Sequence, residues 1–130
     1  MSQNYNAVFA YNGAEYSFDV SDAADAQRME DALLKMDATE KALPKEGKVS
    51  VIYKGQCSML KEWLDDVLGE GAGKALCGER DNVMSCYNAY EAFLDFVAEQ
   101  NQYIQQTKVK FQNRTNVRPV KAAGVKKTKK

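Results

Sequence analysis

Residues 49–68, VSVIYKGQCSMLKEWLDDVL, constrain this chain more than any other stretch. Val49, Ile52, Tyr53, Leu60, Trp63, Leu64, Val67 and Leu68 recur at helical spacing, so one face can enter a core while Lys54, Lys61, Glu62 and Asp65 stay in water. The spacing predicts a central helix. GEGAG follows at once, and its glycines end the helical face and let the chain reverse.

The rest of the chain supplies partners for that helix. Ala7–Tyr11 and Glu15–Val20 flank Asn12-Gly13, the dipeptide that best tolerates the positive φ angles of a tight hairpin turn. Tyr16, Phe18 and Val20 alternate with polar neighbours, which gives the second strand one apolar face. Two strands alone are marginal, so the face must lie on helices. Asp22 or Ser21 can cap a helix carrying Met29, Leu33 and Met36, and Pro44 through Gly47 breaks its pattern. After the glycines, residues 72–77 fit one or two helical turns. Asp81 or Asn82 then opens a long periodic segment through Val83, Cys86, Tyr87, Tyr90, Phe93, Leu94 and Val97, expected to run to about Thr107.

Charge divides the chain more sharply than hydropathy. It carries 18 basic and 18 acidic residues, so its formal net charge is zero. Every acidic residue lies between Glu15 and Glu99, and half of the cations lie beyond Thr107 with no acid among them. The expectation is a single α+β domain over residues 1–107, predominantly helical, with an N-terminal β-hairpin packed on a small helical bundle. A basic, flexible extension over residues 108–130 would follow, since Pro119 and Gly124 argue against an unbroken helix and the terminal lysine run favours water. Such an extension can meet an acidic protein surface or nucleic acid.

Chemistry is harder to find. Gly71-Ala72-Gly73-Lys74-Ala75 looks like a phosphate loop but lacks the earlier glycine, where Leu68 stands, and the hydroxyl residue, where Ala75 stands. Asp65, Asp66 and Glu70 fix no separation across a cleft. The chain has no histidine, which removes His-based triads and His-containing zinc sites. Cys57, Cys77 and Cys86 are odd in number and lack CxxC spacing, so they read as core thiols in a reducing cytoplasm. No apolar run approaches the roughly 20 residues of a membrane span. Neither enzyme activity, a metal nor a cofactor is expected.

The YNGAEYSFDV hairpin, the CSMLKEWLDDVLGEGAGKALCG centre and the NAYEAFLDFV helix leading to a basic end resemble small phage tail-region proteins of the tail assembly chaperone type. That resemblance implies a non-enzymatic helper that binds tape measure and tail tube proteins in the host cytoplasm and leaves before the tail is complete. In such a helper Tyr87, Tyr90, Phe93 and Val97 would form an apolar binding surface where the core does not use them. Lys108, Lys110, Phe111, Arg114 and Arg118 would order against an acidic partner. A homo-oligomer is compatible with this reading. The alternatives are a regulatory protein that binds nucleic acid or a host factor through the basic end, and a structural tail protein retained in the mature virion.

Overall fold

The computed structural model describes the backbone over residues 5–123 and side chains over residues 5–115. The elements run β1 (Val8–Tyr11), β2 (Ala14–Ser17), α1 (Ala23–Ala42), α2 (Val49–Leu68), α3 (Ala72–Cys77) and α4 (Val83–Ala123). Among the described residues the fold is mostly helical, with four helices and an N-terminal antiparallel hairpin.

Asn12 and Gly13 make the turn with φ of 54° and 82°, the paired positive angles of a type I′ hairpin. Phe9 pairs with Tyr16, and Tyr11 with Ala14. These side chains share the inner face, while Val8, Ala10, Glu15 and Ser17 face water. A further bond from Phe18 N–H to the Ala7 carbonyl, 2.9 Å, carries the inner face on to the buried Phe18 ring. The Asn12 side chain donates to the Leu76 carbonyl at 3.3 Å, so the turn is tied to α3.

The hairpin lies on α4, and Phe93 is where the layers meet. Its ring centroid is 5.2 Å from those of both Phe9 and Phe18 and 5.6 Å from Trp63. All three contacts are edge-to-face, the arrangement favoured by the ring quadrupoles. Leu60, Leu64 and Val67 of α2 and Leu76 of α3 complete the core. Phe93 was expected to join Tyr87, Tyr90 and Val97 in a partner-binding face, on the condition that the core left them free. That condition fails for Phe93 and Val97, which are buried. Tyr90 is half-buried with its ring 5.0 Å from Trp63, and Tyr87 alone of the four is exposed.

The first turns of α2 also depart from the expected pattern. Val49 and Tyr53 face solvent, because the body covers α2 closely only from Cys57 onward. Asp22 is the side-chain cap of α1, accepting from Asp25 N–H. On α2 and α1, Lys35 Nζ lies 2.9 Å from Glu62 and 3.1 Å from Asp66, an exposed link worth little on its own.

Gly73 explains the sequence that imitates a phosphate loop. A Cβ at this position would lie 2.2 Å from the Lys61 carbonyl oxygen and 2.6 Å from its Cα. The glycine therefore lets α3 press directly on the α2 backbone. Asp65 seals the junction by accepting from Gly73 N–H at 2.7 Å, which gives this carboxylate near the end of α2 a structural task.

Cys57, Cys77 and Cys86 come together from α2, α3 and α4, all buried and free. Burial pushes the Cys57 thiol up to about 12, aided by its neighbour Cys86. Cys77 and Cys86 are raised as well, again chiefly by burial. The three pack as neutral thiols.

The largest difference from the sequence expectation concerns α4. The helix does not stop near Thr107 but continues through Ala123, so the described backbone of residues 108–123 is helical. Residues 83–100 supply a packed nucleus, and each further residue then adds a hydrogen bond for one residue fixed. Lys, Gln and Arg, frequent after Gln100, are good helix formers. Pro119 withholds one N–H from the ladder without ending the helix. The expected solvated lysine run at residues 126–130 lies outside the described residues.

Two core substitutions separate these contributions by urea denaturation. Phe93→Ala removes the shared ring and is expected to cost about 3–5 kcal/mol. Gly73→Ala forces α3 off α2, and should lower stability comparably even though it adds only one methyl group. The thiols add a pH dependence. Unfolded cysteine ionises near pH ~8.5, so stability should be fully present below that value and fall as pH rises towards the folded value of about 12. Replacing Cys57 with Ala should flatten this alkaline slope in a pH series of melting temperatures.

Candidate functional site

The residue that ends the body and opens the exposed part of the molecule is Gln100. It is 2% exposed and is the buried polar residue of the described core. Its Oε1 accepts from Val20 N–H at 2.9 Å, and its Nε2 donates to the Asn6 and Phe18 carbonyls, each at 2.8 Å. One side chain thus satisfies three backbone groups at the edges of the hairpin, where strand pairing has run out. Beyond it, every described side chain of α4 is exposed or half-exposed. Residues 101–123 span about 35 Å of helix.

This projecting arm begins beside the chain's N-terminal segment. Tyr5 packs on Tyr103 with centroids 5.3 Å apart, and its hydroxyl donates to Asp19 Oδ1 at 2.6 Å. Ser21 donates to the same carboxylate from both its N–H and its hydroxyl. Those donors, Ser21 foremost, hold the Asp19 carboxyl below its usual pKa, while burial raises that of Tyr5. The charged Asp19 is therefore a fixed anchor for the Tyr5 ring.

Tyr5, Ser21, Tyr103, Ile104, Thr107, Lys108 and Phe111 line a groove of about 500 Å³ along the arm. A second hollow of about 350 Å³, on the other side of Tyr5 and Tyr103, is bordered by Asn6, Phe96, Glu99, Gln100, Gln102 and Gln106. Phe111 is 67% exposed, so most of a large apolar ring is left to water at the outer end of the first groove. Lys108, Lys110 and Arg114 stand around it, all exposed. Four of the expected partner-binding residues, Lys108, Lys110, Phe111 and Arg114, thus share the arm. The Arg118 side chain lies outside the described residues. Tyr87 is exposed elsewhere, on the first turns of α4.

Sequence reasoning missed Tyr5, Gln100, Tyr103 and Ile104, although a signal was present. Val83, Tyr90, Val97, Ile104 and Phe111 recur every seven residues, as do Cys86, Phe93, Gln100, Thr107 and Arg114. These are the two seam positions of a heptad repeat. Within the body the seam is covered by α2, α3 and the hairpin. Past Gln100 it emerges from that cover with Ile104 and Phe111 still in register.

Among the described residues, no group of three or more His, Cys, Asp or Glu is placed to hold a metal, and no helix is long and apolar enough to cross a membrane. Asp65 and Asp66, adjacent in sequence, serve different contacts: Asp65 caps α3 and Asp66 meets Lys35.

Gln100→Leu preserves most of the volume but strips three backbone groups of their partner. It should cost about 3 kcal/mol, and native-state hydrogen exchange should show its effect at the Val20 amide. An unchanged Val20 exchange rate would contradict the clamp.

No curated protein and no solved structure matches the chain. Residues 12–127 match a family of unknown function, DUF6673. Because that match runs from the hairpin turn through the whole of α4, the protein belongs to the DUF6673 family.

Proposed function

We propose that this chain is a non-enzymatic docking adaptor whose setting is phage tail assembly. The observation that carries the adaptor reading is the arm of α4, which leaves the body as a helix with Ile104 and Phe111 on its seam and cations around them. A helical arm of this length gains little from water, and its apolar positions gain free energy only when something covers them. The hairpin, three shorter helices and first half of α4 form the platform that fixes where the arm starts. Phage tail assembly enters from the resemblance of the hairpin, the central helices and the basic end to tail assembly chaperones, with tape measure and tail tube proteins as the partners.

The acid-free cationic end favours one second reading, docking on nucleic acid, because phosphate contacts need little more than positioned Lys and Arg. The two readings differ in what the apolar side chains do. Nucleic-acid retention should survive Phe111→Ala and collapse on deletion of residues 108–130. Protein docking should suffer from both.

Affinity purification of the intact chain from phage-infected cells, with nuclease treatment, tests the assignment. The expected result is recovery of tape measure or tail tube protein during assembly and loss of the chain from mature particles. Phe111→Ala should reduce that recovery while changing unfolding free energy by less than about 0.5 kcal/mol, as for other exposed positions. Recovery of nucleic acid alone would overturn the adaptor reading. Persistence of the chain in purified virions would favour a structural tail component.

A further inference from the structure

We infer that the arm of α4 takes an acidic amphipathic α-helix of another protein, laid along the seam that Ile104 and Phe111 define and held by carboxylates on both of its flanks. This rests on the adaptor reading and specifies the chemistry of its partner.

The register supplies the argument. With Ile104 and Phe111 at one seam position and Thr107 and Arg114 at the other, Lys108 and Lys110 fall on the two flanking positions that border a paired helix. Those positions set partner choice in coiled coils through charge. Both carry cations here, Arg114 adds a third charge to the seam itself, and the sequence has no acid after Glu99. An occupant must therefore bring the negative charge. Its apolar side chains would cover Phe111, which is two-thirds exposed, and Ile104, which already lines the groove beside Tyr5 and Tyr103.

The same register disfavours a second copy of the chain. Antiparallel pairing of two arms would set Lys108 against Lys108 and Lys110 against Lys110. Parallel pairing would set Arg114 against Arg114 within the seam. Like charges so placed oppose association. Nucleic acid would satisfy the cations but leave the Ile104 to Phe111 stripe uncovered.

The test uses the full chain and a probe peptide of about three heptads with Leu on both seam positions and Glu on both flanks, a design that does not pair with itself. A matched peptide with Lys on the flanks and a single-stranded oligonucleotide are the comparisons, read by fluorescence anisotropy, with sedimentation to follow self-association. The acidic peptide should bind, and more weakly as salt is raised. Phe111→Glu should weaken it roughly tenfold or more. The double variant Lys108→Glu, Lys110→Glu should transfer preference to the Lys-flanked peptide. Circular dichroism of the variants checks that α4 persists, and the exposure of all three positions makes loss of the fold unexpected.

Equal binding of both peptides, binding unaffected by Phe111→Glu, preferential capture of the oligonucleotide by the same residues, or dimerisation through the arm would each overturn the inference. The assembly setting fails separately. A chain that binds the acidic peptide but retains no tail protein in infected cells loses its setting and keeps its surface, whereas full retention of tail proteins by the charge-reversed variant sinks the acidic-helix inference alone.

Discussion

The structure depends on one aromatic ring. Phe93 touches the hairpin through Phe9 and Phe18 and the central helix through Trp63, so the three layers of a small domain share a single contact point. A two-stranded hairpin has too little surface to be stable alone, and here it gains stability by placing alternate side chains against α4. The same contact fixes the rotation of α4 about its axis. With Phe93 turned inward, Cys86 and Gln100 must also turn inward, and Tyr87, Glu91 and Asp95 must face water.

That rotation is carried along the helix to the arm. A helix is stiff over several turns, so the seam that packs the core at Val97 re-emerges at Ile104 and Phe111 without any further interaction to direct it. Gln100 marks the change of use. In the core positions before it the seam meets side chains; at Gln100 it meets backbone, and one amide group pairs with two carbonyls and an N–H. An apolar residue there would have packed equally well by volume while leaving buried polar groups unpaired. The polar side chain thus belongs to the fold, although its neighbours in sequence belong to the exposed arm.

Close approach at the other end of the body has a similar economy. Gly73 removes a side chain so that α3 can lie on α2, and Asp65 uses the N–H that this approach exposes. The three thiols below them fill the resulting junction as small, uncharged groups. Of the acidic residues that looked like candidate chemistry, Asp65 accepts from the Gly73 N–H and Asp66 enters a surface ion pair with Lys35. Charge is divided along the chain, with every acidic residue at or before Glu99 and half of the cations beyond Thr107.

Much of this was legible along the chain because it depends on neighbours within a few residues. Asn12-Gly13 dictates a turn with two positive φ angles, Asp22 or Ser21 offers a cap for α1, and the apolar spacing of residues 49–68 and 83–97 marks two helices, although Val49 and Tyr53 at the start of the first stay exposed. The basic character of the arm is a matter of counting. The sequence left undecided which apolar residues the core would consume, because Phe93 and Tyr87 have the same local pattern and differ only in what lies opposite them. Nor did local propensity decide the end of α4, where a helix nucleated by tertiary packing runs past the point at which its apolar content fades. The role of Gln100 needed the hairpin brought beside it across some eighty residues of chain. Periodicity determines which side of a helix is apolar, but only the three-dimensional arrangement decides where along its length that side is covered, since cover comes from segments distant in sequence.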